Sequence, residues 1–467
     1  MRRSAAAPAP SARGAERYRR ATLTFLTSLA VKGVALLTLF WSVRLGLAYL
    51  GSERFGLWMT ALSAAALLSF ATLGLDKGLL NALAAADGSG NRAAARRLVS
   101  TTFFLLMAIV ATLLLLLAMA YPLVPWARLL NATAGADEAG PMMAVLVLCT
   151  LLALLGSLVD TVQSAYQEGF INGIFEAAGK LLGLGALAAA IALGAGLPVL
   201  ALAFAGAPLL AALANVVLLF GRRRPWLAPQ PRLVQKAVAR RLLGAGSLFF
   251  LSQLALTLAY YVDNLIVAAL AGNEAVAAYA VTARLFDFPG MLLLLIGGAL
   301  WPPLAEALAQ GDIHWAERGL VRLILASLAL AGATALPLIL LGPAVLRWWV
   351  GGEIAPPPSL FAAFGLFWML SALTQPIGVF LSAANALRFQ LACVTALAAG
   401  SLVLKLLLGA RFGMEGVAWA RVIAEALFLL LPYVLFLPRL LRGLRKKSSV
   451  LSDQLPAGSS MRLTTDN

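Results

Sequence analysis

Histidine and cysteine are nearly missing from this chain of 467 residues: His314 is the one histidine, and Cys149 and Cys393 are the two cysteines. Each cysteine lies deep in an apolar run, which excludes a disulfide framework and a redox motif. One histidine in a connection, beside Trp315, leaves no His/Cys metal cluster to assemble. Charge is scarce as well. Only 12% of residues are Asp, Glu, Lys or Arg, against about a quarter in soluble domains, while 61% are apolar and the mean hydropathy is +0.90. A water-soluble fold is excluded. Acidic residues are the scarcer sign, 20 against 36 Lys and Arg, for a formal charge of +16. The basic residues fall between apolar runs and at the two ends, so the surface they suit is a membrane, not nucleic acid. A phosphate loop is lacking too: Gly173 to Lys180 has five residues between its glycines, and Leu181 stands where a Ser or Thr would bind magnesium. No connection is long enough for an extramembrane catalytic domain, so the chain is not read as an enzyme.

What is present is apolar sequence in runs of spanning length. Twelve are read: Leu23 to Val43, Phe55 to Leu75, Leu98 to Ala120, Met142 to Tyr166, Ile174 to Leu193, Leu197 to Phe220, Leu248 to Ala271, Val276 to Leu300, Leu320 to Leu341, Leu360 to Ala383, Phe389 to Leu408 and Val417 to Leu437. A span in lipid must satisfy its own backbone, so these are helices. The first run follows a basic arm, with Trp41, Arg44 and Tyr49 where a signal peptide would carry a small-residue cleavage site, and it reads as an uncleaved span. Alternating connections, both termini included, hold 25 of the 36 Lys and Arg residues; the other set holds Arg44, Arg54, Arg128, Arg347 and Arg411. Both termini are therefore expected in the cytoplasm.

The expected organisation is a basic arm over 1–22, a six-helix bundle over 23–220, a basic linker over 221–247, a second six-helix bundle over 248–437, and a tail over 438–467 that is basic, then polar, and expected to be disordered. A shift of 221 residues supports two halves. It lays Gly51, Ser52, Glu53 and Trp58 over Gly272, Asn273, Glu274 and Tyr279, and Gly90, Asn91 and Arg97 over Gly311, Asp312 and Arg318. Six spans per half is even, so the duplication is parallel.

Ionisable residues inside spans are costly in lipid and face a bundle interior or a wet cavity. Lys32, Asp160, Lys180, Asp263, Arg284, Asp287, Lys405, Arg421 and Glu425 qualify. Arg284 with Asp287, at i,i+3, and Arg421 with Glu425, at i,i+4, read either as ion pairs within one helix or as cavity cations. Lys180 has Glu176 one turn earlier and reads as paired. Lys32 and Lys405 have no carboxylate one turn away on their own helices, which makes them candidates for an anion site, with snorkelling or pairing to another helix the alternatives. Asp263, beside Asn264, reads either as a site for a coupling proton or sodium ion or as a polar helix contact. Asp160 is a second cavity carboxylate. Glycines four apart, such as Gly179 and Gly183, permit close helix contact.

Arg44-Leu-Gly, Leu50-Gly-Ser-Glu-Arg-Phe-Gly-Leu-Trp58 and Leu73-Gly-Leu-Asp-Lys-Gly78 resemble the opening of Wzx-type polysaccharide flippases. Asp263-Asn-Leu-Ile266, Tyr279-Ala-Val-Thr282, Trp301-Pro302 and Gly311-Asp312 extend the resemblance into the second half. It implies the multidrug/oligosaccharidyl-lipid/polysaccharide exporter superfamily, with two six-helix bundles around a V-shaped cavity in the bacterial inner membrane. It also implies a substrate, an oligosaccharide on undecaprenyl pyrophosphate, moved from the cytoplasmic to the periplasmic leaflet for O-antigen, capsule or exopolysaccharide assembly. Lys32, Arg284, Lys405 and Arg421 are the expected cations for that pyrophosphate. Lipids and other polysaccharide-assembly membrane proteins are the expected partners. A multidrug or organic-cation antiporter of the same fold, using Asp160 and Asp263, and a non-transporting membrane scaffold remain as alternatives.

Overall fold

The computed structural model describes residues 10–454. Among them every regular element is helical: α1 (Pro10–Ala66), α2 (Leu75–Gly88), α3 (Arg92–Ala120), the single turn α4 (Trp126–Leu129), α5 (Ala136–Ala165), α6 (Gly169–Ala192) and α7 (Leu197–Val217) in the first half. The second half contains α8 (Lys236–Tyr260), α9 (Asp263–Leu285), α10 (Asp287–Ala309), α11 (Ile313–Val350), α12 (Pro358–Ala383), α13 (Leu387–Ala424) and α14 (Leu431–Gln454).

Nine segments among the described residues are long and apolar enough to cross a bilayer. Three of them, Ala30–Gly88, Gln253–Leu294 and Leu387–Arg445, double back at a glycine of positive φ: Gly51 (71°), Gly272 (84°) and Gly413 (59°). The reversal is visible in the contacts. The Phe55 ring lies against Gly46 and the Val417 side chain against Gly409, and Tyr279 hydrogen-bonds Asp263, sixteen residues earlier, at 2.7 Å. In a straight helix sixteen residues span about 24 Å. With three of nine segments doubled, the crossings among the described residues number twelve.

The duplication is written in the backbone. Gly51 (φ 71°, ψ 172°) and Gly272 (φ 84°, ψ 169°) share one conformation, in a region that is essentially confined to glycine. Gly90 and Gly311 are both left-handed (φ 67° and 80°). The residue after each is an N-cap: the Asn91 side chain accepts from the Ala94 N–H at 2.9 Å, and that of Asp312 from the Trp315 N–H at 3.0 Å. The same shift lays Asn131 (φ 48°) over Gly352 (φ 82°).

Lipid offers little hydrophobic drive between helices, so small residues and polar contacts hold them together. Gly179 and Gly183 of α6 bring it against Pro208 and the Phe204 carbonyl of α7. The halves meet chiefly along α1 and α9, near the glycine turns. There Thr60 bonds Asn273 (3.1 Å), Asn131 donates to the Ala268 carbonyl (2.7 Å), Asn264 donates to Ser63 (2.9 Å), and Trp349 donates to the Phe40 carbonyl (2.9 Å). Leu37, Leu115, Met119 and Leu340 are exposed, as lipid-facing residues should be, and exposed Trp41 and Trp348 suit the interfacial level.

Three expected boundaries move. The basic arm is helical from Pro10, so α1 begins well before residue 23; Arg2 and Arg3 lie outside the described residues. Beyond Pro438 the chain does not become irregular but stays helical to Gln454, and Arg445 pairs there with Glu317 at 2.6 Å. Pro438 lies inside this helix at the loss of one backbone N–H, and the Arg442 side chain donates to its carbonyl at 3.3 Å. Residues from 455 lie outside the described ones. The linker is also shorter than expected. Helix α8 begins at Lys236, and its Leu242 is buried among Leu75, Leu79, Leu83 and Val99 of the first half. The remaining linker is fastened to the first half: the Gln230 and Gln235 N–H groups donate to Ser100 and Thr101 (3.1 and 3.2 Å), and Arg224 pairs with Glu168 at 2.9 Å.

Candidate functional site

The glycine turns set the depth of the site. Asp263 is nine residues before Gly272 and Tyr279 seven after it; Lys405 is eight residues before Gly413 and Arg421 eight after. At 1.5 Å per residue each lies about 10–14 Å from its turn. Two hairpins therefore deliver four polar side chains to one level inside the second half, near the middle of a bilayer core of about 30 Å.

There they form one network. The Asp263 carboxylate accepts from the Tyr279 hydroxyl at 2.7 Å and pairs with Lys405. Arg421 stands 3.7 Å from the same carboxylate, its guanidinium 4.0 Å from the Phe367 ring and 4.9 Å from that of Tyr260. The Lys405 ammonium also donates to the Ala259 carbonyl. Tyr260 continues the chain, donating to Glu425 at 3.0 Å, and Thr374 donates to the other Glu425 oxygen at 2.6 Å. Asp263 thus faces two cations, while Glu425 is held by two hydroxyls; a buried charge is tolerable when it is paired or hydrogen-bonded in this way.

The first half holds an open site instead. A cavity of about 540 Å³ is walled by Ala35, Thr38 and Ser42 of α1, Asp160 of α5, Asn172, Glu176 and Lys180 of α6, and Asn215 of α7. Lys180 pairs with Glu176 at 2.7 Å, as its spacing predicted. Asn215 is held by a reciprocal amide pair with Gln163, at 2.6 and 3.2 Å. Asp160 has no hydrogen bond or ion pair among the described residues. The chamber is mostly apolar, with its charge concentrated on Asp160, Glu176 and Lys180.

The six residues singled out from the sequence are divided by this geometry. Asp263, Lys405 and Arg421 come together. Lys405 is not an open cation: its side chain has no exposure, and the partner absent from its own helix is supplied by Asp263. Arg421 does not pair with Glu425 on its own helix. A wide π-type turn begins at Glu425, turning that carboxylate toward Tyr260 and Thr374, while Arg421 reaches Asp263. Arg421 keeps 17% side-chain exposure. Arg284 does pair within its helix segment, with Asp287 at 3.0 Å, where α9 gives way to α10, and both are over 40% exposed. Asp160 lines the first-half cavity. Lys32 lies one turn before Ala35 on the stripe of α1 that lines it, half-buried and without an ion-pair partner among the described residues. Tyr260, Tyr279 and Thr374 were missed. Their signal was hairpin level, which requires knowing where the chain reverses.

Twelve crossings in two duplicated bundles, with a polar site in each, define a membrane transporter of the exporter superfamily named above. Solved structures agree in fold. An inward-facing multidrug resistance MATE family transporter of that superfamily matches with a TM-score of 0.69 at 15% identity, over 94% of this chain and 99% of the other. An outward-facing one matches at 0.61 and 16%, over 94% and 96%. A superfamily transporter from Pyrococcus furiosus, for which reverse polarity of the binding pocket has been taken to suggest a different function, matches at 0.63 and 17%, over 93% and 96%. The chain belongs to the polysaccharide biosynthesis protein family, whose profile matches residues 18–308. The MatE profile matches residues 249–407. No curated protein matches the sequence significantly.

Proposed function

We propose that this protein is a flippase for a lipid-linked oligosaccharide, carried on undecaprenyl pyrophosphate from the cytoplasmic to the periplasmic leaflet of a bacterial inner membrane. The observation that carries the reading is the match of the polysaccharide biosynthesis profile across the first half and into the second. The charge distribution supports it. Half-exposed Lys32 and the partly exposed, ring-stacked Arg421 are the cations left to meet a pyrophosphate, since Lys405 is sealed. The halves rock about their junction, exposing the site to either side in turn. Asp160, accessible from the cavity, is the carboxylate suited to a coupling proton or sodium ion. The excess of basic residues on the terminal side supports cytoplasmic termini.

A second reading, organic-cation antiport, is favoured by the MatE match and by the two carboxylates, Asp160 and Glu176, on the cavity wall. The test is glycan assembly in a deletion strain complemented with wild type, Lys32→Ala, Arg421→Ala or Asp160→Asn at matched abundance. The flippase reading expects lipid-linked glycan to build up on the cytoplasmic face in the deletion strain, and again with Arg421→Ala. Intact glycan assembly with new sensitivity to cationic drugs would replace it with antiport.

A further inference from the structure

The seventh membrane crossing, helix seven, runs through α8 into the first part of α9 and is broken. Helix α8 ends at Tyr260, Tyr261 and Val262 leave helical pairing, and α9 begins at Asp263. In a continuous helix the Ala259 carbonyl would accept from the Asp263 N–H; at the break that carbonyl accepts from the Lys405 ammonium, which also pairs with the Asp263 carboxylate. A carboxylate oxygen beside a carbonyl freed by a helix break is the donor set by which membrane transporters hold small monovalent cations. Here the cation arrives on the end of a side chain.

We infer that Lys405 is a tethered cation that permanently fills a monovalent-cation site at the break in helix seven, so that the second half binds no exchangeable coupling ion at Asp263. Two observations beyond the pair itself carry this. The ammonium has no exposure and the Asp263 side chain 5%, so an ion from solution has no room beside them. The duplicated half has neither member of the pair: Ser42, which the 221-residue shift lays over Asp263, and Leu184, which it lays over Lys405, line an open cavity. One repeat keeps a chamber where the other is plugged. The remaining groups around the plug are consistent with a filled site. Arg421 and the Tyr279 hydroxyl take the other Asp263 oxygen, and Tyr260 is committed to Glu425.

Lys405→Ala removes a propylammonium fragment and leaves its ligands, so the missing piece can be supplied from solution. The experiment is thermal denaturation of the full-length protein in detergent, purified in choline, sodium or n-propylammonium chloride at equal ionic strength. Wild type should melt at one temperature in all three salts. Lys405→Ala should lose about 5 °C or more in choline. It should recover much of that loss, saturably, in propylammonium or sodium, and the recovery should disappear when Asp263→Asn is added. Recovery by 1-propanol equal to that by propylammonium would show that packing, not charge, fills the site, and would overturn the inference. So would a wild type that sodium stabilises, if Asp263→Asn removes the effect. If Lys405→Ala does not accumulate, the charge-balanced pair decides. Lys405→Met should be depleted from membranes and Lys405→Met with Asp263→Asn restored, whereas wild-type abundance of Lys405→Met alone would overturn it.

Discussion

Glu425 shows what burial demands of a single side chain. Its residue exposure is 2%, and its two oxygens accept from Tyr260 and Thr374, groups on two other helices. Removing it strands two buried hydroxyls, and a buried donor left unpaired costs about 1–3 kcal/mol. Glu425→Ala is expected to lower the melting temperature of the purified protein markedly. Glu425→Gln, which still offers one acceptor oxygen and an amide that can donate to the other hydroxyl oxygen, should lose less than half as much. Equal losses for the two would mean that the ionised carboxylate, not the hydrogen bonds, holds the three helices. At this scale the sequence was only partly informative. It showed that Arg421 and Glu425 were one turn apart, and the intrahelical pair was one natural reading, but each residue has a stronger partner on another helix. Lys180 with Glu176 and Arg284 with Asp287 did pair as spaced, because both pairs are partly exposed and no competing buried charge reaches them.

Helix reversals carry the argument at the scale of elements. Gly51 and Gly272 sit in a conformation that other residues adopt only at about 1–3 kcal/mol. Alanine at either should reduce membrane abundance and melting temperature, whereas Gly185→Ala in α6, at ordinary helical φ with open space around its Cα, should be neutral or slightly stabilising. If Gly51→Ala and Gly272→Ala behave like Gly185→Ala, the two turns are not the fixed points of the duplication that their shared dihedrals indicate. The twelve runs, the even number per half and the 221-residue register were legible in the sequence because they rest on spanning length, basic connections and matching residues at a fixed shift; that Gly51, Gly272 and Gly413 reverse the chain was seen only in the structure. Boundaries were less legible. Apolar runs mark the lipid core, and helices continue past it whenever polar residues such as Arg445 and Glu317 find each other outside.

In the whole molecule the two halves are joined by few, specific polar contacts near the glycine turns, and the alternating access proposed above requires those contacts to part. Ser63 and Asn264 face each other across the junction at 2.9 Å. In a chain with Cys149 and Cys393 replaced by Ala, Ser63→Cys with Asn264→Cys joined through disulfides by a short bis-methanethiosulfonate should stop the proposed glycan translocation, and reductant should restore it. Continued transport by the cross-linked protein would show that the halves need not separate there. The fastened linker bears on the same motion. With Gln230 and Gln235 held to Ser100 and Thr101, and Leu242 of α8 seated in the first half, the start of helix seven belongs to one half while α9 packs in the other. The break that Lys405 spans therefore lies where the halves must flex against each other.

By itself the sequence determined that this is a membrane protein of twelve helices in two parallel halves, because apolar length and the side carrying basic residues act within a few residues of chain and the 221-residue repeat is written in residue identities. It also named the charged residues that had to be sheltered. Only the tertiary structure decided how they are sheltered: Asp263 with a sealed Lys405 and a partly exposed Arg421 in one half, Asp160 open to a cavity in the other. The reason is distance along the chain. Asp263 and Lys405 are separated by 142 residues, and a charge taken from water pairs with whatever opposite charge the packing of helices brings to its depth, which no local spacing records.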